Sequence, residues 1–338
     1  MTVASERIGS LPPFPVYRLR QDDAGVTGRF EETTIDKLDP GDVVVRVAYS
    51  SVNYKDALAA TGAGRIVRRF PCVGGIDLAG IVESSEDPRF TPGDAVIAGG
   101  YDIGVSHDGG YAQYARLRAD WLVPLPSGLT LADAMALGTA GYTAGLAMTL
   151  LTRHGLAPRN GPVAVTGATG GVGSFAIDML ARHGYDVVAI TSKADQSEYL
   201  HQLGARDIVT RDSLEFSRTK PLEAARWGGA VDNLGGDMLA WLLSTMRIGA
   251  PVAAIGLAAG MQLHTTVAPF ILRGVRLLGV DSNNTPMPLR QEVWGRLASD
   301  LRPRHLASIA RTIPFEALPS VFDDFLRGQI RGRVVVAM

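Results

Sequence analysis

The chain has 338 residues and a formal net charge of -1, with 46% hydrophobic and 20% charged residues, a composition typical of globular proteins. This length is enough for two domains, and the near-neutral charge argues against nucleic acid as the main partner. The single cysteine, Cys72, excludes an intramolecular disulfide and any metal site built from several cysteines, and we expect it to be buried and inert.

The first part of the chain is rich in predicted strands. β-Branched, alternating segments predict strands at 42–49, 79–83 and 94–98. Pro40–Gly41 and Pro92–Gly93 are turn signals before the first and the last of these. The first third of the chain therefore predicts a β-rich domain.

Two segments bear on whether the protein is secreted or membrane-bound. Residues 1–20 contain prolines and scattered charges but no continuous apolar stretch, so we expect no secretory signal. Residues 134–151 form an uncharged run, but its glycines and threonines dilute the hydrophobicity. A buried helix is the better interpretation than a membrane span, and we expect a cytoplasmic protein with no membrane association.

A glycine-rich turn at 167–173 is the strongest local motif. It follows the apolar strand predicted at 163–166 and precedes a helix-compatible run at 175–180 and a strand at 187–190. The pattern Ala168-x-Gly170-x-x-Gly173 in this context is typical of a βαβ dinucleotide site, where the helix N-terminus binds a pyrophosphate. A tight turn without a ligand is the alternative. The expected cofactor contacts here are Thr169, Gly170, Gly171 and Val172.

The end of the next strand favours NADP over NAD. Sites for NAD usually place a carboxylate there to bind the ribose 2′-hydroxyl, whereas this chain has Thr191, Ser192 and Lys193. Hydroxyl groups and a cation suit a 2′-phosphate, and Arg211 could add a second cation. The alternatives remain that nearby Asp195 serves NAD, or that Lys193 is only a solvated surface charge.

The rest of the chain alternates strands and helices. Strands are predicted at 230–232, 251–256 and 275–280, which predicts a parallel sheet covered on both faces. A helix around 317–326 and a strand at 333–337 follow. This last strand could return to the sheet of the first domain.

These segments together resemble the medium-chain dehydrogenase/reductases, in particular their zinc-free quinone oxidoreductase-like branch and its bacterial NADPH-dependent acryloyl-CoA reductases. The resemblance implies an α/β protein with a GroES-like β-rich domain at 1–135, completed by 311–338, and a Rossmann domain with a doubly wound parallel sheet at 136–310. The matching segments are 50–59, 75–80, 85–90, 119–123, 138–141, 198–200, 203–205, 269–273, 279–282 and 332–333.

The resemblance also implies site residues. Asn53, Tyr54 and Arg333 are the expected catalytic residues, with Asn53 and Tyr54 near the nicotinamide. The alternatives are that Asn53 caps the helix that follows and that Arg333 is a solvated strand-end charge. Further cofactor contacts are expected from Tyr54, Leu257, Ile271 and Ser282.

No metal site is expected. Zinc dehydrogenases of this superfamily have a cysteine and a histidine where Asn53 and Tyr54 stand, and a histidine and a glutamate at Ile76 and Asp77. Asparagine, tyrosine and isoleucine cannot rebuild such a site. His107 and His154 remain as isolated candidates, although lone histidines are more often structural or surface groups.

The expected reaction is NADPH-dependent reduction of the C=C bond of an α,β-unsaturated acyl-CoA, with acryloyl-CoA as the leading substrate. The basic cluster Arg65, Arg68 and Arg69 could bind the phosphates of coenzyme A, or it could be a solvated surface patch. A quinone oxidoreductase, an enone reductase and a non-catalytic NADPH-binding redox sensor are the alternative functions. A homodimer is expected from the resemblance alone.

Overall fold

The computed structural model describes residues 11–216 and 220–338. Its strands, in chain order, are β1 (Phe14–Asp22), β2 (Gly25–Thr33), β3 (Val43–Val52), β4 (Cys72–Val73), β5 (Asp77–Ser85), β6 (Ala95–Gly99), β7 (Tyr114–Leu117), β8 (Leu122–Pro124), β9 (Val163–Thr166), β10 (Val187–Thr191), β11 (Asp207–Thr210), β12 (Gly229–Asp232), β13 (Pro251–Ala254), β14 (Arg276–Gly279), β15 (Ala310–Pro314) and β16 (Arg333–Ala337). Its α-helices are α1 (Tyr54–Thr61), α2 (Leu131–Arg153), α3 (Gly171–Arg182), α4 (Ser197–Gln202), α5 (Gly236–Thr245), α6 (Ala268–Arg273), α7 (Met287–Leu297), α8 (Leu306–Ile309) and α9 (Phe322–Leu326).

The chain divides into two compact units. The first runs to Thr139 and also contains Asn283–Ala298 and Leu306–Met338. The second contains Ala140–Ser282 and Ser299–His305. The predicted domain boundaries, 1–135 with 311–338 against 136–310, stay a prediction, and the structural units differ from them mainly by placing 283–298 in the first unit.

The first unit is β-rich, as expected. Its larger sheet has the order β15-β16-β3-β5-β6-β8, with β7 also paired to β3, and a smaller sheet has the order β2-β1-β4. The predicted return of the C-terminal strand is confirmed, because β16 pairs antiparallel with β3, with Val334 opposite Val52. This register brings Arg333, at the start of β16, beside the end of β3 and the start of α1.

The second unit has a six-stranded parallel sheet in the order β11-β10-β9-β12-β13-β14. This is the doubly wound order in which ligands bind at the carboxyl ends of the strands, where the order reverses between β9 and β12. The central strands are buried along their whole length, as predicted for a sheet covered on both faces.

Helix α2 corresponds to the uncharged run and is interrupted at Gly138. Gly138 has φ 50° and ψ -155°, a conformation essentially restricted to glycine, so the helix restarts at Thr139. By length and composition α2 could span a membrane, but 89% of its most apolar 18-residue window is buried. The prediction of a buried helix is confirmed.

Two local predictions differ from the structure, and one hairpin was missed. Helix α3 begins at Gly171 rather than near Phe175, because the glycines of the turn supply its first turn. The helix predicted at 317–326 is a 3₁₀ segment, Phe315–Val321, which contains Pro319 and continues into α9. The β1–β2 hairpin was not predicted, because the partly exposed β2 reads as an irregular mixture of charged and apolar residues.

Candidate active site

The end of β3 leads directly into α1 at the candidate catalytic residues. Asn53 occupies the N-cap position of α1, and Asp56 accepts a hydrogen bond from the backbone N–H of Asn53 at 2.9 Å. Asp56 also accepts from the backbone N–H of Ile76 at 3.0 Å, which ties the first turn of the helix to the segment before β5. The alternative that Asn53 caps the helix is therefore correct for its backbone position before α1.

The side chain of Asn53 points into a buried polar network rather than to the helix end. Its Oδ1 accepts from the Arg333 guanidinium at 2.9 Å, and its Nδ2 donates to Asp77 at 3.0 Å and to Asp56 at 3.1 Å. Asn53 is only 7% exposed. Both amide hydrogens already have carboxylate acceptors, so Asn53 offers no free donor to a substrate.

Arg333 is buried, at 2% exposure. Besides Asn53 it donates to the Ser51 hydroxyl at 2.6 Å and to the carbonyl oxygen of Val52 at 3.2 Å. The alternative of a solvated strand-end charge is wrong, because the pairing of β16 with β3 places this residue inside the sheet assembly. Direct binding of a substrate phosphate or carbonyl by Arg333 stays a prediction that its internal contacts do not support.

Burial and mutual repulsion set the electrostatics of this network. Burial, and then the negative charge of Asp77, raise the pKa of Asp56 to about 7. Burial lowers the pKa of Arg333, and the charges of Asp77 and Asp56 oppose that effect. Burial also raises the pKa of Tyr111, whose hydroxyl donates to the carbonyl oxygen of Ser51 at 3.1 Å.

Tyr54 differs from its neighbours in the site. It is the first residue of α1, and it is 46% exposed. Within residues 11–216 and 220–338, no hydrogen bond involves its hydroxyl group. Tyr54 is thus the expected catalytic residue whose polar group remains available to a ligand.

The basic cluster of the first unit is not a uniform cationic surface. The Arg69 guanidinium binds the Asp39 carboxylate and donates to the carbonyl oxygen of Ser106 at 3.2 Å. Arg68 lies 3.8 Å from Asp102 with its side chain 74% exposed, and Arg65 is exposed. Arg65 and Arg68 remain available to an anion, whereas Arg69 holds two loops together.

The glycine turn of the second unit fits a dinucleotide pyrophosphate. Gly170 is the N-cap of α3 and has no side chain to cover the first N–H groups of the helix, so these donors are left for an anion. A Cβ on Gly173 would stand 2.4 Å from the carbonyl oxygen of Gly167, so only glycine permits this close packing of helix on turn. Gly171 and Val172 are partly exposed here, and Thr169 is buried.

The residues predicted to recognise the 2′-phosphate lie at the carboxyl edge of the same sheet. Thr191 ends β10 and pairs with Thr210, which ends β11, so Lys193 and Arg211 follow neighbouring parallel strands. Ser192 is exposed and Lys193 is half-buried. Desolvation lowers the pKa of Lys193, and the charge of Asp195 opposes this effect.

Three further predicted cofactor residues lie in the second unit. Leu257 and Ser282 follow the carboxyl ends of β13 and β14. Ile271 lies in the short helix α6 and is 72% exposed. The contact of these three residues with the cofactor stays a prediction.

Metal-ligating side chains do not converge in the described ranges, 11–216 and 220–338: no three of His, Cys, Asp or Glu form a group there that could hold a metal ion. The ring nitrogens of His107 lie 3.0 and 3.1 Å from the carbonyl oxygens of Asp108 and Pro40, and Nδ1 of His154 lies 2.8 Å from that of Leu150. Cys72 is buried, as expected, and burial raises the pKa of its thiol to about 12.

Sequence reasoning missed the roles of Ser51, Asp56, Asp77 and Thr139. Asp77 accepts four hydrogen bonds, from Ser51 Oγ, Asn53 Nδ2, Thr139 N and Thr139 Oγ1, at 2.6 to 3.0 Å. A signal was present for Asp77, which is the charged residue within an otherwise apolar and glycine-containing segment, 73–82. The partners of these four residues could not be identified before the strands were paired.

Comparison with known proteins agrees with this architecture. Residues 39–127 match the alcohol dehydrogenase GroES-like domain family, and residues 171–299 match the zinc-binding dehydrogenase family. The acrylyl-CoA reductase AcuI of Ruegeria pomeroyi is 49% identical over 94% of this chain and 96% of its own length. YhfP of Bacillus subtilis, whose name assigns it to the quinone oxidoreductases, is 50% identical over 88% of this chain and 90% of its own length.

Solved structures extend the comparison. The yhdH oxidoreductase of Salmonella enterica, crystallised with NADP, superposes with a TM-score of 0.93 at 46% identity, covering 96% of this chain and 99% of that one. The structure of Bacillus subtilis yhfP, which contains NAD, gives the same TM-score and identity over 97% of this chain and all of that one. The chain therefore belongs to the medium-chain dehydrogenase/reductases, in the group that contains AcuI and YhfP.

Proposed function

We propose that this protein is an NADPH-dependent oxidoreductase that reduces the C=C bond of an α,β-unsaturated acyl-CoA, with acryloyl-CoA as its leading substrate, and that it works without zinc. The observation that carries the proposal is the exposed phenol of Tyr54 at the start of α1. A buried hydrogen-bonded network occupies the positions of zinc ligands in related dehydrogenases, and beside it the phenol of Tyr54 has no hydrogen-bond partner in the described residues. This donor suits stabilisation of a developing enolate rather than of a metal-bound alkoxide.

When bound, NADPH supplies a hydride to the β-carbon of the unsaturated thioester. The electron pair of the C=C bond then joins the α-carbon to the carbonyl carbon, and the carbonyl electron pair moves onto oxygen to give an enolate. A proton from solvent adds to the α-carbon and the C=O bond re-forms, so that one C–H bond has formed at each carbon. Tyr54 donates a hydrogen bond to the carbonyl oxygen as its negative charge develops. Arg65 and Arg68 bind phosphates of coenzyme A, and Lys193, Ser192 and Arg211 bind the 2′-phosphate of the cofactor.

The decisive experiment measures NADPH oxidation with acryloyl-CoA, crotonyl-CoA, a simple quinone, or no acceptor. We expect the highest kcat/KM with acryloyl-CoA. Faster turnover of the quinone would favour the alternative suggested by the similarity to YhfP. Tight NADPH binding without turnover of any acceptor would favour a redox sensor.

The role of Tyr54 has its own test. Replacing the phenol in Tyr54→Phe removes one donor to the developing enolate, so kcat should fall by roughly a hundredfold, the usual effect of losing one oxyanion donor. Binding of NADPH, measured by fluorescence titration, should change little. An unchanged kcat would remove Tyr54 from the mechanism.

We further propose a homodimer. Strand β14 is an edge of the six-stranded sheet, and α6 beside it in sequence exposes apolar side chains: Val267, at its N-cap, is 67% exposed, Ile271 72% and Leu272 66%. An unpaired strand edge with exposed apolar residues is usually covered, here by a second copy. Sedimentation of wild type and Leu272→Glu tests this, since a monomeric wild type would contradict it.

We also propose a cytoplasmic location, to be tested by cell fractionation.

A further inference from the structure

We propose that Asp77 is a positioning residue for Tyr54 and that it acts through Asn53, with Ser51 and Arg333 completing the connection. The inference rests on the proposed function, since it assigns to Tyr54 the contact with substrate. It gives a role to the buried side chains that meet at the end of β3 and at the kink of α2. None of these side chains needs to touch the reacting atoms.

The carboxylate of Asp77 joins three elements. Its Oδ2 accepts from Asn53 Nδ2 at 3.0 Å, before α1, and from Thr139 N at 2.8 Å, where α2 restarts after Gly138. Its Oδ1 accepts from the Ser51 hydroxyl, on β3, at 2.6 Å. Any shift of this carboxylate would therefore move the residue that precedes Tyr54.

The orientation of the Asn53 amide is fixed by the chemistry of its partners. A guanidinium only donates hydrogen bonds and a carboxylate only accepts them. Arg333 must therefore face Oδ1, at 2.9 Å, and Asp77 and Asp56 must face Nδ2, at 3.0 and 3.1 Å. Flipping the amide would break all three contacts, so the network permits a single orientation.

Ser51 links the cation to the carboxylate. Its hydroxyl accepts from Arg333 at 2.6 Å and donates to Asp77 at 2.6 Å. Arg333 thus supports Asp77 through one hydroxyl and supports Asn53 directly. The arginine and the carboxylate hold the amide from opposite sides.

The network is larger than an N-cap requires. Asn53 and Asp56 alone begin α1, an eight-residue helix. Asp77 and Arg333 add two charged groups that are each only 2% exposed. Buried ionic networks often contribute no more stability than apolar side chains of the same size, so stability alone gives no reason for them here. A role in fixing the direction of Tyr54, the first residue of α1, would explain why these buried charged groups are present.

A double-mutant cycle tests the inference. Asp77→Asn keeps the shape of the side chain, but its amide NH₂ group would face groups that donate hydrogen bonds to the Asp77 carboxylate. Through misplacement of Tyr54 it should lower kcat roughly tenfold to a hundredfold, without weakening NADPH binding. In the Tyr54→Phe background the same change should cost less than about threefold, because the group that it positions is already gone. Equal losses in both backgrounds would overturn the inference.

Adjacent serines provide a milder test with a matched control. Ser50 and Ser51 are both fully buried, and their hydroxyls donate to the backbone oxygen of Asp77 at 2.7 Å and to its carboxylate at 2.6 Å, respectively. Both Ser→Ala variants should lower the melting temperature, and Ser51→Ala should lower it more, because Ser51 loses its contacts with Asp77 and Arg333 whereas Ser50 loses one buried hydrogen bond. Only Ser51→Ala should also lower kcat. Equal kcat values for Ser50→Ala and Ser51→Ala would contradict the positioning role.

A readout independent of turnover separates this inference from the proposed function. In protein labelled with 3-fluorotyrosine, the Tyr54 ¹⁹F resonance is assigned by its loss in Tyr54→Phe. It should shift or broaden in Ser51→Ala and Asp77→Asn but not in Ser50→Ala. If wild type reduces no acceptor, the proposed function fails while this resonance still tests the positioning. If wild type is active and the resonance is unchanged in every variant, the positioning fails alone.

Discussion

The Arg333 guanidinium donates to Asn53 Oδ1 at 2.9 Å, and these two residues are 280 positions apart in the sequence. The contact exists because β16 pairs with β3, which brings the C-terminal strand to the start of α1. It commits the side chain of Asn53 to the interior of the protein, because Asn53 Oδ1 accepts from Arg333 and both of its amide hydrogens have carboxylate acceptors. Of the three residues expected to be catalytic, Tyr54 keeps its hydroxyl available within the described residues.

Protonation of Asp56 should contribute to the pH dependence of the free energy of unfolding. The pKa of Asp56 is raised from 3.8 to about 7, so between about pH 4 and 7 the folded protein binds a proton that the unfolded chain has lost. The contribution of this group to the free energy of unfolding should therefore fall as pH rises, by at most about 1.4 kcal/mol per pH unit. Denaturant titrations of wild type and Asp56→Asn at several pH values would measure it as a difference of slopes. Identical slopes would show that Asp56 does not titrate in this range.

Cofactor selection should depend on Lys193. A charge-assisted contact with the 2′-phosphate contributes about 1.5–3 kcal/mol, so Lys193→Ala should raise the KM for NADPH by roughly tenfold to a hundredfold. The KM for NADH should be nearly unchanged, because NADH lacks that phosphate. Lys37→Ala, an exposed lysine of the first unit, controls for the change in net charge. Equal effects on the two cofactors would reject the assignment.

Recognition of coenzyme A should depend on Arg65 and Arg68 but not on Arg69. The double change of Arg65 and Arg68 to Ala should lower kcat/KM for acryloyl-CoA and spare a small enone such as methyl vinyl ketone, since the lost contacts are remote from the double bond. The difference should shrink at high salt, because exposed charges are screened. Arg69→Ala should mainly lower the melting temperature, because Arg69 holds Asp39 and the carbonyl oxygen of Ser106. A wild type without any thioester preference would favour the quinone reductase.

The sequence predicted best where the signal is local. The turn at Gly170 and Gly173, with its flanking strands, follows from short-range patterns, and the strand predicted at 333–337 matches β16 residue for residue. The network around Asn53 could not be predicted in the same way, because its partners lie 24 and 280 positions away. A buried arginine and a solvated one look alike in sequence, and only strand pairing distinguishes them.

Activity should not depend on a metal ion. The residues at the zinc-ligand positions of related dehydrogenases, Asn53, Tyr54 and Ile76, cannot form a thiolate and imidazole site. Prolonged dialysis against a strong chelator should leave kcat unchanged, and elemental analysis of the active enzyme should find no stoichiometric zinc. Loss of activity that zinc alone restores would contradict this prediction.

Two glycine substitutions should have opposite effects on stability. A Cβ at Gly138 would stand 2.3 Å from the Arg333 guanidinium and 2.8 Å from the Ser51 hydroxyl, and its φ of +50° already disfavours any other residue. Gly138→Ala should therefore destabilise the fold by at least about 1–3 kcal/mol, the usual cost of such a backbone conformation. It should also lower kcat, since the displaced side chains hold Asn53.

Gly295→Ala, inside α7 where an added Cβ meets nothing within 4 Å, should instead stabilise by up to about 1 kcal/mol and leave kcat unchanged. Thermal and denaturant unfolding would measure both effects. A Gly138→Ala protein with the stability and kcat of wild type would mean that the side chains around this kink are free to rearrange, contrary to the packing described.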